Sequence, residues 1–184
     1  IVETSGFELT QDISDKFLTY PDSENLKIII AFDAVKKDIY EKLRPSQKSY
    51  DEMLEQIEYF LLRRRNNTYI QIVKMMDNFD DIVGHNKFFS RITKNIILQK
   101  YNTYKNILPE RRLNPMVPFD RIDCWHMKRD MIILSDGSVP VCKQDINNQI
   151  FLGNVITENI ERIWDRGQEH FEKHLNGYEF CRRC

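Results

Sequence analysis

The chain has 184 residues, of which 41% are hydrophobic and 30% charged, a composition typical of folded globular proteins rather than disordered ones. Its 27 basic and 28 acidic residues give a formal charge of −1, so bulk charge gives no reason to expect nucleic acid or anionic membrane as a partner. The longest apolar run, residues 28–32, is far shorter than the roughly 20 residues of a membrane-spanning helix. No signal-peptide pattern opens the sequence, so we expect a soluble, cytoplasmic protein.

The two ends of the sequence indicate an excerpt of a longer protein. Residue 1 is Ile rather than Met, and it lies in a predicted strand. At the other end, Cys184 closes a Cys-x-x-Cys pair that begins at Cys181. We therefore expect further chain before and after these residues.

Predicted strands and helices alternate over the first hundred residues. The pattern predicts strands over residues 1–4, 27–32, 68–75 and 96–101. It predicts helices over residues 12–18, 34–43 and 50–65, and one within 79–93. Ser49 is a predicted N-cap for the helix over 50–65. Because such alternation favours parallel strands with right-handed crossovers, we predict an α/β fold here, half of a barrel or an open sheet.

A proline-rich stretch follows, with Pro109, Pro115 and Pro118 within ten residues. Closely spaced prolines break regular structure, so this stretch is predicted to be a linker. We predict one domain over residues 1–110 and a second, small α+β domain over residues 111–184.

The second domain is predicted to hold a β-hairpin and a long helix. Strands over residues 130–134 and 138–142 flank Asp136-Gly137, a pair typical of two-residue type I′ turns. Thr157 is the predicted N-cap of an amphipathic helix that ends at Gly177.

All cysteines of the chain lie in the second predicted domain: Cys124, Cys142, Cys181 and Cys184. The Cys-x-x-Cys spacing lets two thiolates bind one ion, and the other two cysteines bracket the predicted hairpin. Four converging thiolates make a soft tetrahedral site that suits either zinc or an iron–sulfur cluster. Disulfides do not fit a chain without an export signal. We therefore predict metal or cluster ligation by these residues.

Three histidines near the cysteines are weaker candidates. His126, two residues after Cys124, is either a structural residue, which we favour, or a neighbouring or alternative ligand. His170 and His174 have the i, i+4 spacing of a metal pair, but no third ligand accompanies them in the sequence.

With these residues identified, residues 122–184 resemble the SPASM domain, the C-terminal auxiliary-cluster module of many radical S-adenosylmethionine (SAM) enzymes. That domain has a Cys, a spacer of about nine to fifteen residues, a Gly, four residues and a Cys, then a later Cys-x-x-Cys. Here Cys124, twelve residues, Gly137, four residues and Cys142 fit this pattern. Leu152-Gly153-Asn154 and the helix around Ile163-Trp164 also resemble it. Among SPASM proteins, the chain most resembles the spirochaete subgroup called spiro-SPASM proteins.

The preceding half resembles the later strands of the radical SAM partial barrel. The motifs that carry this likeness are Glu3-Thr4-Ser5-Gly6, Ala31-Phe32-Asp33-Ala34, Leu43-Arg44 and Gln71-Ile72-Val73. The family's Cys-x-x-x-Cys-x-x-Cys loop is missing from this sequence, and the resemblance places it before Ile1. Ala31 stands where many relatives have a Ser that contacts SAM.

The resemblance also implies SAM contacts at strand ends, where parallel α/β folds place their ligands. The candidates are Thr4, Ser5, Asp33, Arg44 and Gln71. Arg44 would pair with the methionyl carboxylate of SAM. Other roles stay open: Asp33 as a helix cap, Arg44 as a capping or surface residue, and Gln71 in a structural hydrogen bond.

By this resemblance the chain is a fragment, inactive alone, of a radical SAM oxidoreductase or modifying enzyme. Its four cysteines would hold one auxiliary [4Fe–4S] cluster for electron transfer, with zinc as a possible substitute, and the full-length protein would bind SAM. The implied partners are a peptide or small-molecule substrate and an electron donor such as flavodoxin or ferredoxin. The alternative hypothesis is a four-cysteine zinc-binding structural or interaction module without catalysis.

Overall fold

The computed structural model describes residues 1–45, 48–104, 106–114, 123–177 and 181. The chain divides into two compact units: residues 1–101 with 111–113, and residues 102–110 with 114–184. The domain boundary near residue 110 stays a prediction, and Pro115 and Pro118 of the predicted linker lie outside the described residues. Within the described residues, no helix is both long enough and apolar enough to cross a membrane.

The first unit is built on a parallel sheet, as predicted. Its strands are β1 (Val2–Thr4), β2 (Ile28–Ala31), β3 (Thr68–Lys74) and β4 (Ile96–Lys100), and they lie side by side in that order. All neighbouring pairs are parallel. The helices of this unit are α1 (Gln11–Thr19), α2 (Lys37–Leu43), α3 (Tyr50–Arg63) and α4 (Ile82–Phe89). The α/β fold predicted from the strand–helix alternation is thus confirmed.

The core of the first unit lies between one face of the sheet and the helices. Side chains alternate between the two faces of a strand, so Ile28 and Ile30 of β2 point to the same side. They join Ile70 of β3 and the apolar stripe of α3 in one cluster. The stripe consists of Met53, Ile57, Phe60 and Leu61, all buried. Burying each such side chain contributes about 1.5–3 kcal/mol, so the sheet and α3 stabilise each other.

The N-terminus of α3 confirms the predicted cap. The Ser49 hydroxyl accepts a hydrogen bond from the Glu52 N–H, and the Glu52 carboxylate accepts one from the Ser49 N–H. This reciprocal pair satisfies two backbone donors that would otherwise lack a partner.

The helix predicted over residues 34–43 begins later than expected, at Lys37. The N–H groups of Val35 and Lys36 donate to the Asp81 carboxylate, at 2.6 and 3.1 Å. This long-range contact keeps Val35 and Lys36 outside the helix, and a sequence pattern cannot show a contact between residues so far apart.

The second unit contains α5 (Trp125–Arg129), β5 (Ser138–Pro140), β6 (Phe151–Asn154) and α6 (Ile160–Gly177). β5 pairs antiparallel with β6. The strand predicted over residues 138–142 is therefore present but shorter, whereas the strand predicted over 130–134 is wrong.

The turn before β5 also differs from the predicted type I′ turn. The Gly137 N–H donates to the Leu134 carbonyl, and the Leu134 N–H donates to the Ser138 carbonyl, which closes a three-residue loop. Only Gly137 of the Asp136-Gly137 pair is left-handed, with φ of 79°. A Cβ at Gly137 would lie 2.7 Å from Ile156 Cγ1, so glycine is required here for space as well as for conformation.

Helix α6 begins at Ile160 and is capped by Asn159, not by Thr157 as predicted. The Asn159 side-chain oxygen accepts from the Glu161 N–H at 2.8 Å, whereas the Thr157 hydroxyl donates to the Asn154 carbonyl. The helix ends at Gly177, as predicted. Ile163 on its apolar face is fully buried.

Candidate metal centre

All three described cysteines belong to, or pack against, the apolar core of the second unit. Cys142 belongs to the cluster of buried residues there, and Cys124 and Cys181 pack against it. The other buried members of this core are Met127, Val139, Val141, Leu152 and Ile163. Cys184 lies outside the described residues. The structure thus places on one core three side chains that are separated by up to 57 residues in the sequence.

Each described cysteine lies within four residues of a regular element of the second unit. Cys124 immediately precedes α5, Cys142 follows β5 by two residues, and Cys181 lies four residues beyond the end of α6. Cys142 is 9% exposed, and the other two are partly buried. The three thiols therefore lie on the same core as residues of α5, β5 and α6.

The loop after Cys142 is organised by a buried carboxylate. Asp145 is 1% exposed, and it accepts hydrogen bonds from the N–H groups of Gln149 and Ile150 at 3.1 and 2.8 Å. Its own N–H donates to the Cys142 carbonyl at 2.9 Å. Asp145 therefore ties Cys142 to the start of β6. Our sequence analysis missed this residue, although an Asp ahead of two asparagines is a typical turn signal.

Cys124 is bound through its backbone to α6. Its N–H donates to Nε2 of His174 at 3.2 Å. Nδ1 of His174 contacts the Phe171 carbonyl, and the two rings stack with centroids 4.9 Å apart. Since both ring nitrogens of His174 are engaged, the spacing of His170 and His174 does not form a metal pair.

His126 links two charged side chains beside the cysteines. Its Nδ1 lies 2.6 Å from an Asp130 carboxylate oxygen, and Lys143 Nζ lies 3.1 Å from its Nε2. The hydrogen bond from His126 is the main cause that lowers the pKa of Asp130 below its ordinary value. Both ring nitrogens are occupied, so the favoured prediction of a structural His126 agrees with these contacts.

The cysteine sulfurs are soft donor atoms, but the described residues do not complete a ligand shell. In the part of the chain that the structure describes, no three His, Cys, Asp or Glu side chains stand close enough to hold a metal ion. Thiolates select zinc or iron–sulfur clusters over hard cations. The cysteines on this core are therefore the type of ligand that zinc or an iron–sulfur cluster prefers, and Cys184 would be a fourth thiolate.

The predicted SAM contacts lie at the carboxyl end of the sheet in the first unit. Asp33 follows β2 and is buried, and it accepts from Arg44 Nη2 at 2.7 Å and from the Val73 N–H at 3.0 Å. Asp33 is therefore not a helix cap, since α2 begins four residues later. The structure brings Asp33 and Arg44 together as an ion pair, although they are eleven residues apart.

The remaining predicted SAM contacts form smaller groups. Gln71 Nε2 donates to the Glu3 carboxylate at 2.7 Å across the sheet. This is a structural hydrogen bond, the alternative role considered for Gln71 in the sequence analysis. Thr4 ends β1, and its hydroxyl accepts from the Gly6 N–H at 3.1 Å. Ser5 lies between Thr4 and Gly6 in the same turn and is partly buried.

Comparison with known proteins identifies the domain family of residues 124–184, which make up most of the second unit. Residues 124–184 match the sequence profile of SPASM, described as an iron-sulfur cluster-binding domain. Residues 124–184 form a SPASM domain. The match begins at Cys124 and ends at Cys184, so it spans every cysteine of the chain.

The fold of the chain is similar to that of two solved structures of anSMEcpe. The structure of polyhistidine-tagged anSMEcpe with bound AdoMet superposes with a TM-score of 0.61, at 14% identity, over 99% of this chain and 58% of that one. Native anSMEcpe with bound AdoMet gives a TM-score of 0.60 at 16% identity. It covers the same share of this chain and 61% of its own length.

In sequence, the chain is 31% identical over 163 residues to an uncharacterized protein of Treponema pallidum (strain Nichols). This match covers 85% of the chain described here and 45% of the relative. The chain thus spans about half the length of the curated relative that it matches.

Proposed function

We propose that this chain is the part of a radical SAM oxidoreductase or modifying enzyme that binds an auxiliary [4Fe–4S] cluster. The observation that carries the proposal is that Cys124, Cys142 and Cys181 all contact one small core, within residues that match an iron–sulfur cluster-binding domain. In this proposal, Cys184 supplies the fourth ligand. The alternative of a purely structural zinc module rests on the same thiolates, and the experiment below separates the two.

When bound, such a cluster supplies electron transfer, because ligation by four thiolates leaves no iron open to substrate. Cys124, Cys142, Cys181 and Cys184 would hold the cluster, and the apolar core would shield it on the side of Cys142. Cys142 lies in the apolar core, and Asp145 fixes the loop that follows. Lys143, Lys128 and Arg129 provide positive charge near Cys142 and Cys124, which favours a site of net negative charge.

SAM binding by the full-length protein is the second part of the proposal. The two anSMEcpe structures described above contain AdoMet. We assign SAM contacts to Thr4, Ser5, Asp33, Arg44 and Gln71 at the strand ends of the first unit. The ion pair with Asp33 orients the Arg44 guanidinium, a group suited to a carboxylate such as that of methionine.

The partners follow from this chemistry. We propose a peptide or small-molecule substrate, and a further anSMEcpe structure with AdoMet and a Kp18Cys peptide supports the peptide. An electron donor such as flavodoxin or ferredoxin would supply the reducing electron. We place the protein in the cytoplasm, where clusters with thiolate ligands are protected from oxidation.

The test is anaerobic reconstitution of the chain with iron and sulfide, followed by metal and sulfide analysis and visible absorption spectroscopy. The proposal predicts about four iron and four sulfide per chain and a broad absorption band in the visible. A colourless protein that holds about one zinc and no sulfide after the same treatment would favour the zinc module.

A further inference from the structure

His174 is the only described His whose buried side chain touches the backbone of a described cysteine. It lies in the last turn of α6 and is 3% exposed. Buried polar groups of this kind are costly unless each is hydrogen-bonded, so both of its contacts matter. These contacts run to Phe171 within α6 and to Cys124 outside it.

The two contacts define the tautomer of the His174 ring, that is, which of its two nitrogens carries the proton. The Phe171 carbonyl can only accept, so Nδ1 carries the proton and donates it. Nε2 is then an unprotonated acceptor, which is the form that the Cys124 N–H requires. Stacking on Phe171, with an angle of 21° between the rings, holds the imidazole in this orientation.

This hydrogen bond joins two segments that carry cysteines. Cys124 lies at the start of α5, and α6 leads from His174 to Cys181, seven residues later. The Cys124 carbonyl accepts from the Lys128 N–H at 3.1 Å within the five-residue α5, but an N–H at the start of a helix finds no acceptor inside that helix. The acceptor that fixes it comes from α6.

We infer that His174 is a positioning residue for the cluster site, which holds the Cys124 backbone in place through Nε2. This inference rests on the proposed function and adds a residue to it. His174 does not touch the inorganic atoms, and it acts through Cys124. Groups that orient a metal ligand in this way typically contribute about 10–100-fold to metal affinity.

The test is a matched pair of substitutions in the 184-residue chain. His174→Gln places an amide oxygen at about the position of Nε2 and keeps an acceptor for Cys124. His174→Asn keeps a polar amide near Phe171 but is too short to reach the Cys124 N–H. Lys173→Asn, on an exposed neighbour in the same helical turn, is the control for an asparagine at this point of α6.

The proteins are reconstituted anaerobically with iron and sulfide, and release of iron to a chelator is followed by absorbance. We expect release to be about tenfold faster from His174→Asn, and within about twofold of the unchanged chain for His174→Gln and Lys173→Asn. The electron paramagnetic resonance spectrum of the reduced cluster should change in His174→Asn alone.

Two results would overturn the inference: equal release from all four proteins, or equally fast release from the Gln and Asn variants. If circular dichroism shows that His174→Asn does not fold, the His174→Gln variant becomes the test. The inference then requires this variant to match the unchanged chain in both the rate of iron release and the spectrum. Failure of the unchanged chain itself to take up iron and sulfide would instead refute the proposed function.

Discussion

The two units of the chain are stabilised by different means. In the sheet unit, large side chains such as Phe32, Phe60 and Ile57 are fully buried in one extensive core. In the SPASM domain, the fully buried apolar residues of the described core are Val139 and Ile163, and the described cysteines belong to or pack against this smaller core. A core of that size supplies little free energy by itself.

From this difference we expect the stability of the sheet unit to depend on apolar burial, and that of the SPASM domain to depend on ligand binding by its cysteines. Because ligands must be brought together for a metal to bind, binding free energy becomes folding free energy in such small domains. Both tryptophans of the chain, Trp125 and Trp164, lie in the SPASM domain. Tryptophan fluorescence therefore reports the unfolding of this domain, whereas far-ultraviolet circular dichroism reports both units.

The largest effect is expected for Cys142→Ser, which removes the most buried described thiol. We expect the iron content after reconstitution to fall to about a tenth or less, and the fluorescence transition in urea to move to much lower concentration. Gln144→Ser, two residues along the chain, is the control. Unchanged iron per chain in Cys142→Ser would contradict its assignment as a ligand.

The second prediction concerns the apolar core of the sheet unit. Ile57→Ala should lower the free energy of unfolding of that unit by about 2–5 kcal/mol, because the side chain is fully buried on α3 and leaves a cavity. Urea unfolding followed by circular dichroism measures this. Leu62→Ala on the same helix, where the side chain is 54% exposed, is the control. Equal losses in the two variants would show that burial on α3 does not determine stability.

The third prediction tests the loop between Cys142 and β6. Asp145→Ala leaves the N–H groups of Gln149 and Ile150 without their acceptor, so we expect the SPASM domain to lose about 1–3 kcal/mol. The measurement is urea unfolding by tryptophan fluorescence in the iron-free chain. Asp165→Ala, on an exposed position of α6, should change it little. A loss no greater than that of the control would refute the role given to Asp145.

The smallest effect concerns pH in the sheet unit. Burial lowers the pKa of His85 below its ordinary value of 6.5, and its Nε2 donates to the Phe32 carbonyl at 2.8 Å. Below pH 6.5 the unfolded chain binds a proton that the folded unit does not, so stability falls as the pH falls. The decrease should reach up to about 1.4 kcal/mol per pH unit.

His85→Gln keeps a donor for the Phe32 carbonyl and removes the titrating group. The free energy of unfolding, measured by circular dichroism between about pH 7 and pH 5, should therefore depend less on pH in the variant. Identical pH dependence in both proteins would mean that His85 is not the group responsible.

The elements predicted best are those whose patterns are local. The continuous apolar run of β2 and the Ser49 cap of α3 were confirmed because propensity and capping chemistry act within a few residues. The strand predicted over 130–134 was wrong, since β6 rather than that segment pairs with β5. Strand pairing depends on which partner the tertiary structure supplies, and an alternating pattern does not name the partner.

The amino-acid sequence by itself determined the class of the fold and predicted the chemical type of the candidate site. Cysteine spacing identified the soft donors and the SPASM resemblance, and the strand–helix alternation identified a parallel sheet. Only the tertiary structure decided which groups hold those elements in place: Asp33 with Arg44, Asp145 behind Cys142, and His174 behind Cys124. Such contacts join polar groups up to 50 residues apart, and their energy comes from burial, which exists only once the chain has folded.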